Sequence, residues 1–386
     1  MSASIVQPRQ MIIGGGAIGE VVPTLTKMGL KRPFIVTDKF MVECGNVARL
    51  TEPLDAAGMA YSVFSDTVPD PTSSSIDHGV DALKQHNPDC VIALGGGSPI
   101  DSAKAIAFLA QYGGQMRDYK VPVINDVPGL PLVAIPTTAG TGSEATRFTI
   151  ITDESTDEKM LCTGVAFCPT VAIVDYELTL TKPRRLTADT GLDTLTHAIE
   201  AYVSARHNPY SDGLAQLAMS ALGKHLRTVC NEPDNRPARE AVMLAATQAG
   251  LAFSNSSVCL VHGMSRPIGA FFHVPHGLSN AMLLPVVTAF SIEAAPERYA
   301  DCARFMGIAT DADSDDTANR KLLDELRQLN VDLDVPTPKA YGIDKERYFS
   351  LLTTMAEQAL ASGSPNNNPR VPTIDEMVQL YTEIWE

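Results

Sequence analysis

The 386-residue sequence predicts an α/β domain built on a parallel sheet over residues 1–182, followed by an all-α domain over residues 183–386. Three observations lead to this fold class. Between residue 11 and about residue 180, short β-rich apolar runs alternate with helix-like stretches, the pattern of repeated βα units. Gly, Pro or Asp stands at nearly every junction between them. After Lys182-Pro183 the strand-like runs stop, and long amphipathic patterns follow, separated by breaks such as NEPDNRP (231–237) and SPNNNPRVP (364–372).

The strand candidates are MII (11–13), FIVT (34–37), YSVF (61–64), CVIAL (90–94), LVAIP (132–136), FTIIT (148–152) and VAIVD (171–175). Helical patterns occupy 18–28, 46–57, 72–85 and 99–109 between them, so crossovers joining parallel strands place helices on both faces of the sheet. In the second half the periodicity predicts helices over 188–205, 211–229, 237–253, 276–289, 317–329, 345–360 and 373–385.

Thirty Lys and Arg against 45 Asp and Glu leave a net charge of −15, and no basic run stands out. Nucleic acid and anionic membrane surfaces are therefore excluded as expected partners. An apolar content of 45% with 19% charged residues belongs to a packed globular chain. Seven scattered cysteines without a Cys-x-x-Cys pair read as reduced thiols. The opening MSASIVQPRQMII has neither a basic n-region nor a long apolar h-region, and no run approaches 18 uninterrupted apolar residues. The expectation is a soluble cytoplasmic enzyme.

Three glycine-containing loops follow strand candidates. Gly14-Gly15-Gly16-Ala17-Ile18-Gly19 fits the dinucleotide pattern G-x-G-x-x-G, with Asp38 at the end of the next strand, although a tight strand-to-helix turn matches it equally well. Gly95-Gly96-Gly97-Ser98 runs into Pro99 as an expected first helical residue. Its backbone N–H groups and helix dipole suit a diphosphate, and side chains at 95–97 would obstruct the phosphate. The third loop, within AIPTTAGTGSEAT (134–146), adds the hydroxyls of Thr137, Thr138 and Thr141. Together the loops suggest one large nucleotide. The Asp38 carboxylate suits a ribose 2′-hydroxyl and repels a 2′-phosphate, which favours NAD over NADP; the alternative role is to cap the following helix.

A second constellation lies in the helical half. Asp193 and His197 stand at i and i+4, on one helical face, and His262, His273 and His276 fall within a short stretch of a chain with only 8 histidines. One carboxylate with two or three imidazoles suits a divalent transition metal such as Fe²⁺, Zn²⁺, Mn²⁺ or Ni²⁺. Phe253, Phe271 and Phe272 flank this region, as pocket lining or as core.

These segments, in order VTD (36–38), ALGGGSPIDSAKA (93–105), AIPTTAGTGSEAT (134–146), GLDTLTHAIEAY (191–202), HGMSRPIGAFFHVPHG (262–277) and NPRVPT (368–373), resemble the iron-containing (group III) alcohol dehydrogenase family along essentially the whole chain. The resemblance implies a dehydroquinate synthase-like fold, with an N-terminal dinucleotide-binding domain and a C-terminal metal-binding domain. It implies hydride transfer between NAD and a small alcohol or aldehyde. A divalent metal would be held by Asp193, His197, His262 and His276, with Fe²⁺ foremost and Zn²⁺ second. It also implies cofactor contacts at Asp38, Asp70, Gly96, Gly97, Ser98, Thr137, Thr138, Thr141 and Lys159, and a homodimer or larger homo-oligomer. Same-fold alternatives are glycerol dehydrogenase, maleylacetate reductase and hydroxyacid-oxoacid transhydrogenase. The chain departs from the family pattern at Arg266, where relatives carry a histidine that assists proton transfer or contacts the cofactor. A guanidinium is a poor acid or base, so proton relay passes in expectation to His273. Arg266 itself is expected to bind a substrate carboxylate or the cofactor diphosphate, or to form an ion pair.

Overall fold

The computed structural model describes residues 3–156 and 158–386, which form two compact units, 4–181 and 182–386, the latter joined by Ala3. The first contains β1 (Gln10–Ile13), α1 (Val21–Met28), β2 (Pro33–Val36), α2 (Lys39–Glu43), α3 (Asn46–Ala56), β3 (Ser62–Phe64), α4 (Ser73–His86), β4 (Cys90–Gly95), α5 (Gly97–Tyr112), β5 (Leu132–Pro136), β6 (Phe148–Asp153), β7 (Glu158–Thr163) and β8 (Val171–Val174). Six strands form one parallel sheet in the order β1-β8-β5-β4-β2-β3. Every residue of β2, β4, β5 and β8 is buried, because helices cover both faces. Alternation along each strand divides the core: Phe34, Val36, Val91 and Ala93 pack with Ile76, Val80 and Ile106 from α4 and α5, while Ile35, Ile92 and Leu94 pack with Leu25, Leu50 and Leu54 from α1 and α3.

The run FTIIT does form β6, but outside the parallel sheet: it pairs antiparallel with β7 as a separate ribbon, Ile150 opposite Leu161. β7 itself, EKMLCT, escapes a reading of the sequence because its two leading charges hide the period-2 pattern. The helix after the second glycine loop begins at Gly97, two residues before the expected Pro99.

The second unit is all-helical: α6 (Arg184–Val203), α7 (Pro209–Asn231), α8 (Arg236–Asn255), α9 (Leu260–Phe272), α10 (His276–Ser291), α11 (Pro296–Phe305), α12 (Asp315–Asp332), α13 (Pro338–Tyr341), α14 (Lys345–Ser350), α15 (Leu352–Ala361) and α16 (Ile374–Glu383). The single helix expected over 345–360 is interrupted at Leu351, whose ψ of −1° leaves the α-helical range. α9 is not among the expected helices, because Gly263, Pro267 and Gly269 are poor helix formers; the buried face of Leu260, Val261, Met264 and Ile268 overrides them. The stretch His276–Ala294 has the length and hydropathy of a membrane span, and 61% of it is buried among the other helices, as befits a core helix apolar on all sides.

Candidate metal centre and nucleotide loops

The first glycine loop is filled from within the protein. The buried carboxylate of Asp175, just past β8, accepts hydrogen bonds from the N–H groups of Gly16 (3.1 Å) and Ile18 (3.2 Å). The amides that a phosphate would use are thus already satisfied, and Gly14–Gly19 is a strand-to-helix turn.

The second loop is different. Gly96 precedes α5 with no side-chain cap among the described residues, so the first-turn amides of the helix carry the positive end of its dipole. The glycines here have a packing cause as well as the expected one. At Gly97 a Cβ would stand 2.9 Å from Thr141 Cγ2, and at Gly96 one would stand 3.3 Å from Thr138 Oγ1. Glycine therefore lets the loop after β5 lie directly on the α5 N-terminus. Thr137 N–H donates to the Gly95 carbonyl (2.9 Å), and the Thr137 hydroxyl is buried with no hydrogen-bond partner among the described residues.

The remaining sequence candidates converge on the same place. Asp38 caps α2, its Oδ1 accepting from Met41 N–H (2.9 Å), so the capping role is realised. Its Oδ2 faces the glycine loop, 3.5 Å from where a Gly95 Cβ would sit. Asp70 N–H donates to Ser98 Oγ (3.3 Å), and Asp70 Oδ1 meets Lys159 Nζ at 2.9 Å.

Sequence reasoning assigns no role to Asp101 and Lys104, one helical turn apart on α5. Lys104 is almost fully buried and donates to Ser143 Oγ (3.1 Å), Thr146 Oγ1 (3.0 Å), and the carbonyls of Thr146 (3.1 Å) and Phe148 (2.7 Å). Asp101 accepts from Ser143 Oγ (2.6 Å) and Ile150 N–H (3.0 Å). Burial pulls the lysine's pKa down and pushes the carboxyl's up, each opposed by the partner's charge. The pair pins the segment 143–150 to α5, and with it the threonine loop.

In the helical unit, three helices bring four side chains together. Asp193 and His197 come from α6, His262 from α9 and His276 from the first position of α10. One potential ligand atom from each lies within 4.8 Å of all the others. From Asp193 Oδ1 the distances are 3.5 Å to His262 Nε2, 3.7 Å to His276 Nε2 and 3.9 Å to His197 Nδ1. Asp193, His197 and His262 are buried, while the His276 side chain is 44% exposed and leaves the cluster open on that side. A Cβ at Gly277 would lie 2.4 Å from the Asp189 carbonyl oxygen, so glycine there permits the close approach of α10 to α6 that sets His276 beside Asp193.

Two further residues complete the cluster. Glu200, one helical turn beyond His197, accepts from His262 Nδ1 (2.6 Å), Cys259 N–H (2.8 Å) and Val261 N–H (2.7 Å). It caps α9 and fixes the His262 tautomer, leaving Nε2 as the electron-pair donor facing Asp193. Asn280, one turn beyond His276, directs Nδ2 at Asp193 Oδ1 (2.7 Å), His262 Nε2 (3.1 Å) and His276 Nε2 (3.2 Å). Neither is among the sequence candidates, although i+7 from Asp193 and i+4 from His276 are readable spacings. Phe253 stacks on His197 with centroids 4.3 Å apart, which holds that ring in place.

The electrostatics agree with a cation site. Burial acts to raise the Asp193 pKa, but the three imidazoles outweigh it and hold the carboxyl well below the usual carboxylate range. Burial also acts against the His262 imidazolium, yet Glu200 and Asp193 outweigh it and push its pKa up to about 9. The two shifts are one coupling seen from both sides: the carboxylates of Asp193 and Glu200 favour positive charge beside them, and the imidazoles favour the ionised Asp193.

His273 and Arg266 lie outside this group of four. His273 is exposed and closes α9 with a left-handed backbone, φ 54°. Arg266, one turn beyond His262, is partly buried, and the expected alternative of an ion pair is not realised among the described residues. Phe272 packs against Tyr348 (5.6 Å), which in turn packs on Trp385 (4.9 Å), as part of an aromatic core rather than at the cluster.

Comparison with known proteins gives a consistent result. Residues 8–176 match the model of iron-containing alcohol dehydrogenase, and residues 187–385 match that of the Fe-containing alcohol dehydrogenase family, C-terminal. The chain is 37% identical to the NAD-dependent methanol dehydrogenase of Bacillus methanolicus, covering 97% of each protein. It is 36% identical to the lactaldehyde reductase of Escherichia coli K12, over 96% of this chain and 97% of that one. Its structure superposes on that of a 1,3-propanediol oxidoreductase with a TM-score of 0.95 at 32% identity, covering 100% of both chains. With both halves of the sequence matched and a full-length fold in common, the chain belongs to the iron-containing alcohol dehydrogenase family.

Proposed function

We propose that this protein is a metal-dependent alcohol dehydrogenase and aldehyde reductase, exchanging hydride between a small alcohol and NAD. The observation that carries this is the convergence of one carboxylate and three imidazoles from three helices. Metal bonds of about 2.0–2.2 Å place tetrahedral ligand atoms roughly 3.3–3.6 Å apart. The 3.5–3.9 Å separations from Asp193 Oδ1 approach that range, and the donor set suits Fe²⁺ or Zn²⁺ better than Mg²⁺ or Ca²⁺. Fe²⁺ is the ion we infer first and Zn²⁺ second.

When bound, such an ion supplies Lewis acidity to an alcohol or carbonyl oxygen, and NAD supplies the hydride acceptor. The protein does the rest by placement. Asp193, His197, His262 and His276 hold the ion; Glu200 and Phe253 keep two of the rings oriented; His273, exposed at the end of α9, takes the released proton. In the α/β unit, the amides of Gly96, Gly97 and Ser98 receive the diphosphate, supported by Thr137, Thr138 and Thr141, with Asp70 and Lys159 at the rim. Asp38 receives the ribose hydroxyls and disfavours NADP. Residues 1–182 thus bind the dinucleotide, and residues 183–386 hold the metal.

The relatives named above act on methanol, lactaldehyde and 1,3-propanediol, which supports a small alcohol or aldehyde as substrate. Seven free cysteines support a cytoplasmic location, and the edge position of β1, with Ile13 46% exposed, supports a homodimer or larger assembly. Elemental analysis after anaerobic purification, joined to an NADH assay with short aldehydes before and after chelation, tests the reading. Turnover tracking one equivalent of Fe²⁺ or Zn²⁺ per chain is the expected result. Full turnover in metal-free protein overturns it.

A further inference from the structure

Arg266 is a charge without a counterpart. Four arginines of the helical unit are ion-paired: Arg227 with Glu325 and Asp332, Arg298 with Asp212, Arg304 with Asp301 and Asp315, Arg370 with Glu376. Arg266 is partly buried, yet no hydrogen bond or ion pair joins it to any described residue. The carboxylate whose charge it feels is Glu200, and the oxygens of Glu200 already accept from Cys259, Val261 and His262. A guanidinium keeps its proton, and because Arg266 is only half-buried and none of its nitrogens is among the buried atoms without a partner, its donors are open to an incoming acceptor.

Its position says which acceptor. On α9, Arg266 stands at i+4 from His262, on the same helical face and about 6 Å further along the axis. A molecule whose oxygen sits at the Asp193–His262–His276 cluster reaches the guanidinium within a few bonds. The planar fork of arginine matches a carboxylate in two parallel hydrogen bonds. The diphosphate has its own cradle at Gly96–Ser98, so the fork is left for the substrate.

We propose that Arg266 makes this enzyme selective for anionic substrates, short alcohols or aldehydes carrying a carboxylate two to four carbons from the reacting carbon. This deepens the dehydrogenase reading and rests on it. In a chain of net charge −15, a local cation is what makes an anionic substrate welcome.

The test compares NADH-dependent turnover of succinic semialdehyde with that of butanal, a pair matched in chain length. Wild type is expected to favour the semialdehyde by about 100-fold or more in kcat/KM, since a site built to bond a polar group discriminates strongly against its absence. Arg266→Ala is expected to lower that ratio about 100-fold, chiefly by weakening the apparent affinity for the semialdehyde, and Arg266→Lys to recover part of it. A wild-type preference for butanal, or an unchanged ratio in Arg266→Ala, overturns the proposal. So does a loss in Arg266→Ala carried entirely by a raised KM for the cofactor, which assigns the guanidinium to the diphosphate. Thermal unfolding of metal-loaded protein with gamma-hydroxybutyrate against 1,4-butanediol gives a readout that needs no turnover: stabilisation of wild type but not Arg266→Ala by the acid alone is expected, and equal shifts refute it. If neither aldehyde turns over while the acid still stabilises wild type, the dehydrogenase reading fails and the anion site stands.

Discussion

The substitution Glu200→Gln probes how far the cluster depends on groups that never touch a metal. Glu200 uses two oxygens to accept from three donors, Val261 N–H at Oε1 and both Cys259 N–H and His262 Nδ1 at Oε2. Glutamine keeps the shape but has one oxygen. If its oxygen faces Cys259 and His262, the Val261 N–H meets an NH₂ donor; if it faces Val261, the NH₂ meets Cys259 N–H and drives His262 toward the tautomer whose Nε2 carries the proton. A buried donor left unsatisfied costs about 1–3 kcal/mol, so the metal-free protein should lose about 2 kcal/mol of stability. Loss of an outer-shell carboxylate typically lowers metal affinity 10–100-fold. The chain has one tryptophan, Trp385, buried in the helical unit, so its fluorescence during urea unfolding reports that unit directly. Competition with a chromophoric chelator gives the metal affinity. An affinity within about threefold of wild type refutes the claim that the Glu200 carboxylate supports the metal through His262.

Asp193→Ala is expected to abolish bound metal and turnover while NAD binding, followed by NADH fluorescence, survives; full turnover would remove the proposed centre. Asp38→Gly should relax discrimination against NADP at a stability cost of a few tenths of a kcal/mol, because glycine is itself a tolerable N-cap. An unchanged NAD-to-NADP ratio of kcat/KM contradicts the ribose assignment. Gly277→Ala places a Cβ 2.4 Å from the Asp189 carbonyl, which has no flexible end to swing aside, so α10 must move off α6. Metal affinity is expected to fall at least about tenfold through displacement of His276, as for a disturbed supporting contact, and an unaltered affinity refutes that account.

Much of the fold is legible because the apolar runs of β2, β4, β5 and β8 are buried on both faces and need no interpretation beyond length and β-branching. β7 is not, since a ribbon with one solvated face tolerates the Glu158 and Lys159 that mask it. α9 is hidden for another reason: tertiary packing offsets the cost of Gly263, Pro267 and Gly269, and no local propensity records that. The Gly14–Gly19 turn misleads in the opposite direction. Its pattern is right for a nucleotide, but the decisive residue, Asp175, lies 159 positions away in sequence and reaches the turn only because β8 pairs with β1.

At the metal cluster, the legible and the hidden residues follow a single rule of helix geometry. Asp193 and His197 are readable as a pair because residues four apart share a face. The same interval, continued, leads from His197 to Glu200 at i+3, from His276 to Asn280 and from His262 to Arg266 at i+4, so each helix carries a ligand candidate and a supporting or recognising group one turn further on. Two of these companions face inward and complete the cluster by hydrogen bonds. Arg266 alone among them has no hydrogen bond or ion pair among the described residues. Buried Arg239 has no carboxylate either, but the Pro233 carbonyl and the Thr187 hydroxyl hold it, and no such acceptor holds Arg266 among the described residues. A guanidinium one turn beyond His262, with its donors open, is placed for an anionic acceptor, which makes the ratio of anionic to neutral turnover the sharpest single number this enzyme can yield.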